Sequence, residues 1–263
     1  MGIFFLILGL LTVNVSGWNL QESRQQRIVG GDVTTIDQYP SAALILLYSC
    51  FDHVFSSVCG ASIISDRAVL TAAHCISDYV PVSYWQTRVG SSFGNRGGFV
   101  HQASKVLIHP EYNSRGILND IGIIQTSTPF TFSSYVSAAS FAGRNYYLPD
   151  NEPVTAIGWG MNDTINQSGS EQLNRVHLHT INWNLCDSIF REVGSPIGEE
   201  VLCIGIPGGG VGGQCAGDSG SPVYHYGVIV GVCSWGHGEC DNPRFPHINA
   251  MVSRYADWIV QNS

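Results

Sequence analysis

The sequence predicts an all-β protein built from two small antiparallel β-barrels, with a short helix at the C-terminal end. From residue 28 onward, short β-type runs alternate with Gly, Ser, Asn and Pro, and helical periodicity is rare. The runs fall into two similar groups on either side of a polar and aromatic passage, 131–150. Two such groups of strands are typical of two closed barrels.

The predicted strands follow from these runs. The first group comprises 42–48, 60–65, 68–71, 86–90, 99–108 and 121–126, and the second comprises 154–158, 172–181, 201–203, 223–234 and 247–251. After the last strand, Val252, Tyr255, Trp258 and Ile259 recur at spacings of three and four. That spacing predicts a short helix whose apolar stripe packs against the barrels.

Composition limits the classes of protein that fit. Charged residues make up 12% of the 263 residues and hydrophobic residues 44%, so the chain can bury a core and is not disordered. The net charge is −8 and Lys105 is the only lysine, which excludes a nucleic-acid-binding surface. An acidic chain with few amines also suits an alkaline fluid, where amines lose their charge.

The first residues have the form of a signal peptide. The apolar run 3–11 is too short to span a bilayer and is followed by Ser16 and Gly17, although no basic residue precedes it. The alternative is a buried N-terminal strand or helix. No other uncharged run is long enough for a membrane span. We therefore expect residues 1–17 to be removed and the protein to be secreted, extracellular and not bound to membranes.

Three short stretches carry residues suited to nucleophilic catalysis. Gly217-Asp218-Ser219-Gly220 holds a serine between glycines in a tight turn, where backbone N–H groups can face a developing oxyanion. His74 lies beside Cys75, and Asp120 begins an apolar run. Each stretch alone also fits a structural role, as a surface turn, a braced loop or a strand end. Their joint presence favours an active site.

In the order histidine, aspartate, serine, the sequence resembles the chymotrypsin and trypsin family of serine proteases. The resemblance extends from 27–31 to 258–259 and includes Gly158-Trp159-Gly160 and Ser234-Trp235-Gly236. The runs 33–40, 88–93 and 244–246 look like the trypsin-like digestive proteases of moth and butterfly larvae. The resemblance implies two barrels of the six-stranded type, with the active site in the cleft between them.

The resemblance also assigns catalytic roles. It implies that Ser219 attacks the peptide carbonyl of a protein or peptide substrate while His74 takes and returns the proton. Asp120 would hold the imidazole in the required tautomer. The N–H groups of Gly217 and Ser219 would form the oxyanion hole. No cofactor is expected.

The family further implies synthesis as a zymogen. Residues 18–27 resemble an activation peptide, cut after Arg27 so that the new amine of Ile28 pairs with the carboxylate of Asp218. The peptidase domain would then be 28–263, with barrel 1 at about 28–135, barrel 2 at about 136–251 and the helix at about 252–261. An activating protease and proteinaceous inhibitors are the expected partners, and the default expectation is a monomer.

Eight cysteines in a secreted chain indicate disulfide bonds, although their spacing does not give the pairing. The resemblance implies three pairs: Cys59–Cys75, Cys186–Cys203 and Cys215–Cys240. Cys50 and Cys233 remain. A bridge between them is formally possible, but their expected places in different barrels favour two free thiols.

The substrate pocket departs from the pattern of trypsins. Gly213 stands where trypsins carry the aspartate that pairs with a substrate Arg or Lys, while Ser234, Trp235 and Gly236 retain the open mouth of chymotrypsin-like pockets. His247 replaces a common glycine, and Gln214 adds polarity without charge. A chymotrypsin- or elastase-like preference for medium-sized or small apolar P1 side chains is expected; a protonated His247 would instead attract an acidic one.

Two further replacements raise an alternative function. Ser221 and Ala61 stand where relatives have glycine, and either would be strained at a positive φ. Such changes fit a catalytically silent secreted homologue that acts as a binding protein. An esterase of another fold is excluded, because its G-x-S-x-G serine would precede both the aspartate and the histidine.

Two further features of the sequence concern glycosylation and metal binding. Asn162 and Asn166 begin glycosylation sequons whose occupancy stays open. The passage 91–101 lacks the paired glutamates of a calcium loop, so no metal is predicted there.

Overall fold

The structure is a computed structural model that describes residues 30–163, 168–240 and 242–263, apart from the side chains of 162, 163 and 168. The predicted signal peptide, the activation peptide with Arg27 and Ile28, and the side chains of both sequons lie outside the described residues.

The first barrel is closed by six antiparallel strands in the order β2-β3-β4-β7-β6-β5. The short strand β1 (Asp32–Val33) precedes this barrel, whose strands are β2 (Ala42–Ser49), β3 (Val54–Ile63), β4 (Ala68–Thr71), β5 (Trp85–Val89), β6 (Phe99–Ile108) and β7 (Gly122–Thr126). The predicted strands 68–71 and 99–108 match the observed bounds, while β3 begins six residues before the predicted start at residue 60.

The second barrel follows the order β8-β11-β12-β15-β14-β13 and closes through pairing of β13 and β11 with β8. Its elements are β8 (Pro153–Gly158), the small hairpin β9 (Met161–Asp163) and β10 (Ser168–Gly169), β11 (Asn174–Thr180), α1 (Trp183–Arg191), β12 (Val201–Gly205), β13 (Pro222–His225), β14 (Val228–Trp235), β15 (His247–Met251) and α2 (Ala256–Asn262). The prediction of two six-stranded antiparallel barrels is confirmed. The strand β1, however, pairs with β11, so the chain near residue 32 belongs with the second barrel and not the first.

Alternation of buried and exposed side chains explains why these segments form strands. Along β5, Trp85, Thr87 and Val89 are buried and the intervening residues are partly exposed. A period of two places one face of each strand on a barrel interior. The core that results runs continuously from one barrel into the other.

The predicted strand 223–234 is in fact two strands. Tyr226 and Gly227 adopt φ values of 47° and 81° between β13 and β14. Two consecutive residues with positive φ form the tight turn of a β-hairpin. The prediction was wrong because the apolar run continues on both sides of this turn.

The sequence also missed the helix α1. Asn182 caps it by accepting a hydrogen bond from Leu185 N at 3.2 Å. Phe190 is buried, and Cys186 is joined to Cys203 of β12. The helix therefore fastens the 182–191 segment to the wall of the second barrel.

The C-terminal helix is confirmed, with a 3-10 turn at Val252–Tyr255 leading into α2. Val252, Tyr255 and Ile259 are buried, as the predicted stripe requires. Within the described ranges, no helix has the length and apolarity needed to traverse a bilayer.

Candidate active site

The histidine predicted to be catalytic lies at the end of a barrel strand. His74 lies in a 3-10 turn directly after β4, between the buried residues Ala73 and Cys75, and a disulfide ties Cys75 to Cys59 of β3. Its side chain is 29% exposed, which leaves one edge of the ring open to the cleft. The disulfide and the two buried neighbours therefore restrain the backbone that carries the His74 imidazole.

Asp120 lies just before β7 and fixes this imidazole. The His74 backbone N–H donates to Oδ1 at 2.8 Å, and His74 Nδ1 donates to Oδ2 at 2.7 Å. The Asp120 side chain is only 2% exposed. Because Nδ1 carries the donated proton, Nε2 is left as the basic nitrogen.

A third donor comes from the other barrel. Ser234 Oγ, on β14, donates to Asp120 Oδ2 at 2.5 Å. Three donors to one buried carboxylate offset much of the cost of removing its charge from water. Sequence reasoning placed Ser234 only in the substrate pocket, and its local motif held no signal for this bond.

The serine turn depends on two glycines. Gly217 and Gly220 adopt φ values of 93° and 78°, and a Cβ at Gly220 would overlap Gly60 O. Gly60 N in turn donates to Ser219 O at 2.8 Å, which joins the turn to the first barrel. Ser219 is therefore fixed between the barrels.

The backbone around Ser219 leaves two donors free. The N–H groups of Asp218, Gly220 and Ser221 donate to Cys215 O, Cys233 O and Asp218 O, respectively. Among the described residues, the N–H groups of Gly217 and Ser219 have no acceptor. These are the two groups expected to form the oxyanion hole.

The serine turn packs against the segment that precedes His74, because a Cβ at Gly220 would overlap Thr71 Oγ1 and lie 3.2 Å from Ala72 N. In the described parts of the chain, no hydrogen bond joins His74 Nε2 to the Ser219 hydroxyl, and Nε2 lies 3.8 Å from Cys75 Sγ. Catalytic hydrogen bonds are often long in enzymes without substrate and tighten in the Michaelis complex.

Asp218 points away from the cleft into the protein. It is fully buried and accepts from Gly160 N at 2.8 Å and Cys215 N at 2.9 Å. Burial raises the pKa of its carboxyl to about 7, against the opposing effect of those two backbone donors. No cationic group pairs with it within the described ranges, so the site favours a positive charge.

A pocket of about 270 Å³ opens beside Ser219. The predicted residues Gln214, Ser234, Trp235, Gly236 and His247 line it. Cys233, Glu239 and Phe245 also line it, and sequence reasoning did not assign them there. Cys233 precedes the motif at Ser234 by one residue, which is the one signal that could have placed it.

Gly213 does not itself line this pocket, contrary to the prediction. A Cβ built at Gly213 would overlap His247 Nε2, and φ at Gly213 is 151°. The imidazole therefore fills the space that a side chain at 213 would occupy. The two departures from the trypsin pattern, Gly213 and His247, therefore depend on each other.

His247 is held as a neutral group. Its Nε2 donates to Gly212 O at 3.3 Å. Burial lowers the pKa of the imidazole, although the Gly212 carbonyl acts in the opposite direction. A positive charge that would attract an acidic P1 side chain is thus disfavoured.

The strain expected at Ser221 and Ala61 is absent. Neither residue has a positive φ, because Ala61 continues β3 and Ser221 leads into β13. The Ser221 hydroxyl is instead buried against Gly60 and has no partner among the described residues. The backbone thus gives no support to loss of catalysis.

The cysteines form three disulfide bonds and leave two free thiols. Disulfides Cys59–Cys75, Cys186–Cys203 and Cys215–Cys240 are present, as the family pairing implies, while Cys50 is exposed and free and Cys233 is buried and free. In the described part of the chain, one group of potential metal ligands comes together, formed by Cys59, His74 and Cys75. Its two sulfurs are bonded to each other and are not thiolates, so it does not suit a metal.

Comparison with known proteins identifies the family. The family model described as Trypsin matches residues 28–259. The chain is 45% identical to "Trypsin, alkaline C" of Manduca sexta, covering 98% of this chain and 99% of that protein. It is 46% identical to "Trypsin CFT-1" of Choristoneura fumiferana, covering 91% and 92%.

Solved structures agree on the fold. Mouse neuropsin and a scabies mite inactivated protease paralogue each superpose with a TM-score of 0.76 at 24% identity, covering 88% of this chain and 97% and 95% of theirs. With the family match over residues 28–259 and the relatives from moths, these findings show that the chain belongs to the trypsin family of serine endopeptidases.

Proposed function

We propose that this protein is a secreted endopeptidase, made as a zymogen, that hydrolyses peptide bonds through Ser219, His74 and Asp120 and prefers non-basic P1 side chains. The observation that carries the catalytic assignment is the buried Asp120 carboxylate, which binds both the backbone and Nδ1 of His74. This arrangement leaves Nε2 basic at the edge of the cleft that contains Ser219.

Catalysis then follows from the geometry. Nε2 of His74 removes the Ser219 proton as Oγ attacks the substrate carbonyl, and returns it to the leaving amine. The imidazolium formed on the way is stabilised by Asp120. A water molecule, activated by the same nitrogen, releases the acyl group from Ser219.

The oxyanion would be bound by the N–H groups of Gly217 and Ser219. Both are without a partner among the described residues, so no existing hydrogen bond must break. A donor held ready for a developing negative charge contributes about 3 kcal/mol to transition-state stabilisation.

Zymogen activation is supported by the environment of Asp218. Its carboxyl is buried, is bound among the described residues only by backbone N–H groups, and has its pKa raised to about 7. A cation brought to it would be stabilised strongly. The amine of Ile28, released by cleavage after Arg27, is the proposed cation.

The non-basic P1 preference is supported by the base of the pocket. A substrate guanidinium would meet a neutral His247 where a trypsin has a carboxylate, and leaving such a charge unpaired costs about 3–5 kcal/mol. The two relatives named above are both trypsins, and their names favour basic P1 residues instead. The pocket of this chain, however, has Gly213 at the position where a trypsin carries the aspartate that pairs with a basic P1 side chain.

One carboxylate does line the pocket within the described residues, that of Glu239. It is exposed to solvent, and exposed ion pairs contribute about 0–1 kcal/mol. That gain is smaller than the cost of an unpaired guanidinium deeper in the pocket. Glu239 therefore does not restore trypsin specificity.

Secretion and a digestive role in alkaline fluid are proposed from the signal-like residues 1–17, the net charge of −8 and the single lysine. The relative whose name includes "alkaline" agrees with such a fluid. Protein substrates, an activating protease and proteinaceous inhibitors are the proposed partners.

The experiment is P1 profiling of the enzyme cleaved at Arg27–Ile28, with Ser219→Ala as the matched control. We expect fluorophosphonate labelling and hydrolysis by the wild type alone, with non-basic P1 residues preferred. Dominant Arg or Lys cleavage would overturn the pocket argument. Equal inactivity of both proteins would favour the silent binding homologue.

A further inference from the structure

The side chain of Gln214 lines the substrate pocket and is 4% exposed. Neither its Nε2 nor its Oε1 has a hydrogen-bond partner among the described residues. Buried polar side-chain atoms are nearly always paired in folded proteins. An unpaired donor and an unpaired acceptor on one side chain, facing a pocket, indicate a ligand that supplies both.

The neighbouring side chain of His247 limits both the charge and the size of the pocket beside Gln214. His247 Nε2 already donates to Gly212 O, and burial lowers the pKa of the ring, so His247 brings no charge. Its ring also closes the space beside Gly213. A pocket of about 270 Å³ with this shape suits one side chain of medium length.

The possible P1 side chains differ in the hydrogen bonds that they can form with Nε2 and Oε1 of Gln214. A carboxylate only accepts and would face the Oε1 lone pairs, while an ammonium or guanidinium only donates and finds no buried carboxylate. An apolar side chain displaces water and leaves both atoms unsatisfied. A primary carboxamide both donates and accepts, and can pair with Gln214 through two antiparallel hydrogen bonds.

We propose that Gln214 makes this pocket selective for a primary carboxamide at P1, so that the enzyme cleaves after glutamine and asparagine. The inference rests on the proposed endopeptidase function and deepens it. A site built to hydrogen-bond its substrate discriminates against analogues that lack the group far more strongly than an apolar pocket does.

The test uses the processed enzyme and four peptides that differ only at P1: Gln, the near-isosteric Met and Glu, and Arg. We expect kcat/KM for Gln to exceed that for Met and for Glu by about 10–100-fold. Gln214→Met should abolish this ratio and raise cleavage after Met. Gln38→Met, the same change at an exposed position, should leave the ratio unchanged.

Fluorophosphonate labelling of each variant reports whether Ser219 remains active, so a misfolded variant is recognised. A preference of the wild type for Met or Leu over Gln, or a Gln preference that survives in Gln214→Met, overturns the carboxamide proposal while leaving non-basic specificity intact. Preference for Arg overturns both. Absence of labelling and of hydrolysis in the wild type overturns both as well.

Discussion

The coupling of Gly213 and His247 can be tested by rebuilding a trypsin-type pocket in two steps. A side chain at 213 would overlap His247 Nε2. Gly213→Asp alone should therefore destabilise the protein by about 1–3 kcal/mol, the usual cost of overpacking. For a domain of this size that corresponds to a fall in Tm of roughly 2–12 °C.

The double variant Gly213→Asp, His247→Gly removes the overlap and places a carboxylate at the base of the pocket. Pairing a substrate guanidinium there should recover the roughly 3–5 kcal/mol that an unpaired charge costs. Converted at 1.4 kcal/mol per factor of ten, this predicts a gain of about 10² to 4 × 10³-fold in kcat/KM for Arg relative to Leu.

Thermal unfolding and P1 profiling of both variants, with His247→Gly alone as control, provide the assay. The control should open the pocket without creating Arg cleavage. A Gly213→Asp enzyme that melts like the wild type and cleaves after Arg as well as the double variant does would refute the view that His247 occupies this space.

Three further predictions follow from single contacts. Ser234→Ala removes one of the three donors to Asp120, so kcat should fall by about 10–100-fold, which corresponds to the roughly 1.5–3 kcal/mol of a hydrogen bond to a charged group; an unchanged kcat in stopped assays would contradict this. In the unprocessed chain, the raised pKa of Asp218 means that folding favours the protonated form, so the contribution of this carboxyl to stability is greatest below roughly pH 4 and falls by about 4 kcal/mol as pH rises from 4 through 7. Urea titrations near pH 5 and pH 8 should show about 3 kcal/mol of this fall in the wild type and not in Asp218→Asn; parallel curves would count against it. Asn182→Ala removes the cap that accepts from Leu185 N and should lower the free energy of unfolding by about 1 kcal/mol, whereas no change in the urea midpoint would show that the cap contributes little.

Several features of this protein could be predicted from local sequence. The buried and exposed alternation that defines strands such as β5, and the apolar stripe of Val252, Tyr255 and Ile259, are short-range patterns. So are the glycines at 217 and 220, whose positive φ values let the serine turn form. A period of two or of three and four depends only on neighbours along the chain.

Other features were decided by contacts between distant residues. The hydrogen bond of Ser234 to Asp120 joins the two barrels, and the overlap of His247 with a side chain at residue 213 couples the start of β15 to a loop of the second barrel. No local pattern encodes such distances. The sequence suggested a neutral pocket from Gly213 and a separate change at His247, and only the fold showed that they occupy the same space.

The sequence by itself therefore determined the two barrels and the family, and it indicated the candidate catalytic residues, because hydrophobic periodicity and motif order depend only on the order of residues along the chain. The tertiary structure alone decided that Asp120 receives a donor from the second barrel, that Gly213 is covered, and that the Gln214 amide is buried without a partner. The physical reason is that burial and hydrogen bonding are set by which surfaces meet when the barrels close.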